Sequence, residues 1–326
     1  MTQTPVAESV AVTVAVVSWN TRGLLAACLR SLSLDAEAGR AEVWVVDNAS
    51  SDGSPDMVEA EFPWVRLVRA SENLGFGRAV NLVASRTRAP WVAAANSDIR
   101  LEPEALSVLI EAGARDSAAG VVAPMLVLPD GTIQPSIQPF PTLLDAALLR
   151  LRIYRLSPRI GRRLYLRAYR DPAEGGHVDW AAGAFLLIRS GAFDRIRGFD
   201  EEQWLYAEDL DLAWRLTGAG WRTRYEPRAI VHHEESAATR AVWGDALAAK
   251  WLGATYSWVA RRQGMARVRW LAGFNVAMSI IEWILYSMLT RVSASPRWRE
   301  NQAGARAGIG LHRLGLRRRE ELLHDR

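Results

Sequence analysis

The sequence predicts an α/β fold: a mostly parallel central sheet flanked by helices, followed by a helical C-terminal extension. Three observations carry this. Over the first 130 residues, short valine- and alanine-rich runs alternate with segments of helical periodicity, the pattern of a parallel sheet covered on both faces. Polar residues directly follow three of those runs, as Ser18-Trp19-Asn20, Asp47-Asn48 and Asn96-Ser97-Asp98. Ligands of such sheets sit beyond the carboxyl ends of the strands. From Ala241 onward the pattern is helical and rich in arginine.

Taken in order, Val10 to Val17 reads as a buried strand. Asn20 or Thr21 then caps a helix carrying Leu24, Leu25, Cys28 and Leu32. Val43 to Val46 is the second strand. Ser54-Pro55 has the form of a helix cap with proline at the first helical position. Val65 to Val68 is a strand, Gly77 to Ala84 a helix, and Trp91 to Ala95 a strand. Glu102-Pro103 opens a helix, and Val121 to Leu126 closes the alternating series. Residues 142–170 are helical or irregular and basic. Val178 to Ala182 and Phe185 to Ile188 read as strands around Gly183, and Glu208 to Leu216 as a helix. Trp221 to Tyr225 and Ile230-Val231 read as two short strands. The expected organisation is a disordered stretch over 1–9, a catalytic domain over 10–240 and a basic helical region over 241–326.

The chain has 326 residues and a net charge of +4, unevenly spread. Acids dominate loops between Asp47 and Glu104, while arginines crowd residues 150–170 and the stretch after Arg261. A basic patch suits diphosphates or an anionic membrane; no nucleic-acid-binding motif accompanies it, so no nucleic-acid partner is expected. One cysteine, Cys28, excludes an internal disulfide framework, and its helical neighbours make it a core residue. Met1 to Ser9 lacks the basic start and apolar run of a secretion signal, which points to a cytoplasmic catalytic domain.

Several constellations have chemical potential. Asp47 to Ser54 puts a carboxylate where it can accept from a ribose or base. Asn73-Leu74-Gly75-Phe76-Gly77-Arg78 sets glycines and an arginine at a loop-to-helix junction, which suits a diphosphate. Asp98 can bind a divalent cation that also bridges two phosphates. Glu208-Asp209-Leu210-Asp211 gathers three carboxylates, approached by the aromatics Trp204 and Tyr206, where a shielded carboxylate can serve as general base. His232-His233 offers imidazole to a metal. Each has a plain alternative read locally: a solvated Asp-Gly turn, a helix cap, an acidic helix start, or an incidental pair of histidines on opposite faces of a strand.

Their order is more specific than any one of them. Ser18-Trp19-Asn20, Asp47 to Ser54, Asn73 to Gly77 with Asn81, Asn96-Ser97-Asp98, Gly183 to Arg189, Gly198-Phe199-Asp200-Glu201 and Glu208 to Asp211 resemble family 2 glycosyltransferases of the GT-A fold. The likeness is to their bacterial rhamnosyltransferase-like branch and covers roughly residues 10–240. The resemblance implies inverting transfer of a sugar, with rhamnose the leading guess, from a dTDP- or UDP-sugar to a lipid-linked or polysaccharide acceptor in envelope synthesis. It implies Asp209 as base, with Glu208 and Asp211 orienting the loop or acceptor. It implies a donor site of Ser18, Asn20, Asp47, Asn48, Asn73, Gly75, Arg78, Asn96, Trp180 and Gly183. A Mn2+ or Mg2+ ion would be held by Asp98 and by His232 in preference to His233. Asn96 departs from the family's Asp-x-Asp motif at its first position. Three rival classes are a sugar-nucleotide nucleotidyltransferase, a non-catalytic scaffold and a processive synthase. The first lacks its glycine-rich signature after strand one; the second is opposed by intact Asp98 and Asp209; the third lacks its Gln-x-x-Arg-Trp motif and multiple spans.

Trp270 to Leu289 is apolar and about the length of a membrane span. Asn275, Ser279, Glu282, Tyr286 and Thr290 nevertheless recur on one helical face. Burying Glu282 in lipid costs roughly 2.5 kcal/mol or more, and arginines flank both ends. A helix lying in the cytoplasmic interface satisfies both constraints, making the enzyme peripheral or monotopic; a helix packed on the catalytic domain or in a homodimer interface is the alternative.

Overall fold

The computed structural model describes residues 10–166, 169–203, 206–234, 246–293 and 295–323. The expected disordered stretch over 1–9 and the aromatic Trp204 lie outside the described residues. The chain forms two compact units, residues 1–140 with 170–242 and residues 141–169 with 243–326. The helical segment after Phe140 therefore belongs with the C-terminal helices, interrupting the single 10–240 domain expected from the alternation.

The first unit is built on β1 (Val12–Ser18), β2 (Ala41–Asp47), β3 (Arg66–Arg69), β4 (Trp91–Asn96), β5 (Ile99–Leu101), β6 (Ala119–Val127), β8 (Gly176–Val178), β10 (Phe185–Arg189) and β11 (Arg222–His233). The order across the sheet is β3-β2-β1-β4-β10-β6-β11-β5, with β8 also paired to β11. Neighbours from β3 to β4 are parallel, as are β6 and β11. β10 runs antiparallel between β4 and β6. That insertion separates β6 from the strand it follows in the alternating series. Val14, Val16, Val43, Val45 and Ala93 face one buried layer, while Ala15, Val46, Val92 and Ala94 face the other. Burial on both faces is why these strands read as continuous apolar runs.

The covering helices are α1 (Arg22–Glu37), α2 (Ser54–Glu61), α3 (Phe76–Ala84), α4 (Ala105–Arg115), α7 (Ser190–Arg195) and α8 (Glu208–Gly218). Cys28 is fully buried in α1, and burial raises its thiol far above the ordinary value. A small ribbon pairs β7 (Ile137–Gln138) with β9 (Trp180–Ala181).

Several local expectations shift. β11 is one strand, because a bulge between Glu226 and Ile230 absorbs Pro227 without ending the ladder with β6. Val178 to Ala182 splits into β8 and β9. Neither Thr21 nor Ser54 caps by its own hydroxyl. Asp52 instead accepts from the backbone N–H of Arg22 and from Ser54 N–H and Oγ, tying the start of α1 to that of α2. These bonds hold the Asp52 carboxyl below its ordinary pKa.

The second unit contains α5 (Leu143–Arg150), α6 (Pro158–Arg163), α9 (Leu247–Gln263), α10 (Met265–Val292), α11 (Pro296–His312) and α12 (Arg319–Leu323). Among the described residues, α10 is the one helix long and apolar enough to cross a membrane.

Candidate active site

The turn of the sheet's winding direction lies between β1 and β4, since the chain winds outward through β2 and β3 and then returns. A ligand crevice is expected there, and the polar segments after β1, β2 and β4 meet at it. Ser18 Oγ lies 3.2 Å from Thr21 Oγ1, which is 2.7 Å from Ser97 Oγ. Asn20, at φ 51°, accepts from Ser51 N–H through Oδ1 and donates its own N–H to Ser50 Oγ. These bonds fasten the β1 loop to the β2 loop. Asn20 and Ala49 both adopt left-handed backbone, a cost typical of sites that must present groups at fixed angles.

Asp47 ends β2 and is buried. Its Oδ2 accepts from Ser50 N–H, while Oδ1 is buried without a hydrogen-bond partner. A buried unsatisfied carboxylate oxygen costs free energy unless a ligand supplies the donor. Asn48 Oδ1 accepts from Leu74 N–H, and Asn73 Oδ1 from Gly75 N–H, so both asparagines shape the loop ahead of α3. Gly75 has φ 78°. Gly77 has a different reason to be glycine: a Cβ there would stand 2.8 Å from Phe199 Cβ. Packing against Phe199 accounts for that glycine. Asn81 completes that joint by accepting from Phe199 N–H and donating to Phe199 O. Arg78 is exposed, with Nε 3.6 Å from Glu201.

Asp98 lies just past β4, with Asn96 at the strand's end, half-buried, donating its N–H to Ala184 O. The imidazole brought to Asp98 belongs to His233: Nε2 stands 3.4 Å from Asp98 Oδ1 and makes no hydrogen bond. His232, preferred from its position in the motif, points the other way and meets Glu102 at 2.6 Å. Strand alternation decides this, since His233 is paired with Ile99, one residue beyond Asp98, and its neighbour must face the opposite side. His233 Nδ1 sits 2.8 Å from Gln134 Oε1. The amide oxygen can only accept, so Nδ1 donates to it and Nε2 is the nitrogen turned to Asp98. Two ligands about 2.1 Å from one ion stand about 3 Å apart, so this pair fits a divalent cation. Among the described residues no third His, Cys, Asp or Glu joins them.

The carboxylate cluster resolves into distinct roles. Asp209 Oδ2 accepts from Gly183 N–H at 2.9 Å and Oδ1 from Leu210 N–H at 2.7 Å. Gly183 packs closely on Asp209, since a Cβ would lie 3.3 Å from Asp209 Cβ. Burial raises the Asp209 pKa, partly opposed by those two N–H donors. Burial and then the Asp209 charge raise Glu208, whose Oε2 is buried without a hydrogen-bond partner. Two adjacent carboxyls of this kind titrate as a pair. Tyr206 and Ala207, at φ 57° and 61°, put consecutive left-handed residues ahead of them. Asp211, grouped with the catalytic acids from sequence, is only 1% exposed and bonds Arg215 Nε at 2.6 Å. Arg215 in turn donates to the carbonyls of Ile196 and Gly198, so Asp211 anchors a loop. Trp180 is buried, with its indole N–H donating to Pro139 O; its polar group is used in packing.

Residues 13–194 match the model of glycosyl transferase family 2, and residues 160–300 that of glycosyl transferase family group 2. The chain belongs to glycosyltransferase family 2. It is 34% identical over 268 residues to N-acetylglucosaminyl-diphospho-decaprenol L-rhamnosyltransferase of Mycobacterium tuberculosis, covering 77% of this chain and 85% of that protein. It is 38% identical over 87 residues to the rhamnosyltransferase WbbL of Escherichia coli, covering 26% and 32%. In fold it is similar to a mannosyltransferase of Pyrobaculum calidifontis solved with GDP-Man and Mn2+, at TM-score 0.61 and 17% identity over 94% of this chain and 86% of that one.

Proposed function

We propose that the enzyme moves a rhamnosyl group, with inversion, from a dTDP- or UDP-linked donor to a polyprenyl-diphosphate-linked sugar at the cytoplasmic face of a membrane. The sugar and acceptor are carried by the 34% identity to the mycobacterial rhamnosyltransferase over most of both chains. The chemistry is carried by Asp209, a carboxylate fixed by two backbone N–H groups and raised by burial.

In this reading the open Oδ1 of Asp47 accepts from a base N–H, Asn73 and Gly75 shape the loop beside the diphosphate, and Arg78 offers it a positive charge. Asp98 and His233 would hold Mn2+ or Mg2+, with phosphate oxygens and water completing the shell. When bound, the ion neutralises the diphosphate leaving group. Asp209 takes the proton of the acceptor hydroxyl as that oxygen bonds the anomeric carbon and the bond to the diphosphate breaks on the opposite face. Glu208, raised by burial and then by the Asp209 charge, stays protonated beside the base, while Asp211 acts through Arg215 on the loop.

The test is Asp209→Asn, assayed with dTDP-rhamnose and UDP-sugars. Turnover is expected to fall about 10²–10⁴-fold, while the donor's stabilising effect on thermal unfolding in the presence of Mn2+ persists. Near-normal turnover of the folded variant would remove Asp209 from the mechanism.

A further inference from the structure

In a water-soluble protein an amphipathic helix turns its apolar face inward. α10 does so over its first turns, where Val268, Leu271 and Ala272 are buried, and reverses the pattern further along. Ser279 is fully buried, whereas Trp270 is 71% exposed and Met288 59% exposed. The inner face carries the polar residues, gathered around Arg150 of α5. Arg150 Nε donates to Asn275 Oδ1 at 3.0 Å, Nη1 to Glu282 Oε2 at 3.1 Å and Nη2 to Ser279 Oγ at 3.1 Å. Nη2 also lies 3.1 Å from His312 Nε2, whose Nδ1 meets Tyr256 Oη at 2.8 Å. Burial and then Arg150 depress the His312 pKa, so the ring is neutral and Nε2 accepts. The charge of Glu282, the main obstacle to placing this helix near lipid, is paired within the unit.

The outer face is apolar: Trp270, Ile281, Ile284, Leu285, Met288 and Val292 are all exposed. α5 repeats the arrangement, with Arg150 turned inward and Leu144 exposed. The medium that meets such a surface is also indicated by charge. The helical unit holds 21 Lys and Arg against 7 Asp and Glu, a net charge of +14 within a chain of +4.

α11 decides how α10 can lie. Tyr286 stacks on Trp298 with ring centres 6.0 Å apart, Gln302 donates to Ser287 Oγ, and a Cβ at Gly308 would stand 2.9 Å from Ser279 Oγ. The two helices thus run antiparallel along the length where α10 is apolar. α11 exposes Arg297, Arg299 and Arg306. A crossing α10 would carry those arginines into hydrocarbon, at about 2.5–3.5 kcal/mol each on insertion scales.

We infer that α10 lies in the plane of an anionic membrane surface, its outward apolar stripe against lipid, and does not cross the bilayer. Lipid covers the stripe, the arginines meet the headgroups, and the Arg150 network keeps the polar face dry. The readout is membrane binding and sidedness, so this inference stands or falls separately from the role of Asp209.

The experiment uses the full chain. Purified protein is floated with vesicles containing phosphatidylglycerol and with vesicles of phosphatidylcholine alone. Flotation is expected with the anionic vesicles and should weaken at high salt. The triple variant Ile281→Ser, Ile284→Ser, Met288→Ser should stay at the bottom while its unfolding midpoint and nucleotide binding match the parent. Sidedness is read on a Cys28→Ser background with Ala266→Cys or Ser293→Cys, in inverted membrane vesicles treated with an impermeant maleimide. Labelling of both positions is expected, since both ends lie on the cytoplasmic side. Labelling of only one would mean a span and overturn the inference. So would protein that ignores anionic vesicles, or a dimer in their absence that the triple variant abolishes.

Discussion

The two units carry opposite charge. The catalytic unit holds 19 Lys and Arg against 29 Asp and Glu, a net charge of −10, whereas the helical unit stands at +14. They also differ in how the polar groups at their centres are met. The catalytic unit leaves Asp47 Oδ1, Glu208 Oε2 and His233 Nε2 buried without hydrogen-bond partners. The helical unit surrounds the half-buried Arg150 with an acceptor for each of its nitrogens, although Gln263 Oε1 and Arg267 Nε elsewhere in it are buried without hydrogen-bond partners. An unsatisfied group is costly in a fold but is what a ligand needs; a satisfied network binds nothing and holds helices in register. The two patterns therefore separate the proposed site for chemistry from the proposed platform for attachment.

Substitutions can break that contrast. The largest effect belongs to Asp209→Asn, the turnover loss of about 10²–10⁴-fold given above. The Asp209 pKa is raised in the folded state, so the stability its neutral form contributes is present at low pH and lost as pH rises through the folded value. The pH dependence of the unfolding temperature over that range should therefore flatten in Asp209→Asn, and an unchanged profile would contradict a buried carboxylate there.

Next, His233→Ala should weaken Mn2+ binding by at least about 10–100-fold, the loss known for changes even one shell further out, as measured by titration calorimetry with nucleotide diphosphate present. His232→Ala should change it by less than about twofold, because that ring faces Glu102. Equal effects would return the assignment to His232.

In the helical unit, Arg150→Met strands Glu282 on a mostly covered face. Breaking a fully buried pair costs about 3–5 kcal/mol; with both side chains about one-quarter exposed, about 2 kcal/mol is expected in denaturant unfolding. A second change, Glu282→Gln, should recover part of it. Gly77→Ala tests the packing role of that glycine: overpacking against Phe199 should cost about 1–3 kcal/mol without altering Mn2+ affinity. The smallest effect is a shift in pH dependence. Since Asp209 must be ionised to accept a proton, kcat should rise with pH through a limb above the ordinary aspartate value of 3.8, and a limb at or below it would mean that the site is open to water.

The sequence by itself determined the parallel sheet, since strands buried on both faces leave unbroken apolar runs such as Val12 to Val17 and Trp91 to Ala95. It also marked the loops that the fold gathers into the candidate site, because polar residues directly after strand ends stand out against those runs. The alternation of polar residues along α10 was legible as well, although not what they meet. Tertiary structure alone decided the rest, for one recurring reason: the deciding partner is far away in the chain. His233 rather than His232 faces Asp98 because a strand beginning at Ile99 pairs there across 134 residues. Asp211 became an anchor because Arg215 reaches the carbonyls of a distant loop. Gly77 is glycine for Phe199. Glu282 is neutralised by an arginine 132 residues earlier, on a segment that interrupts the catalytic unit. Periodicity reports which face of an element is polar; only the fold reports what that face is turned toward.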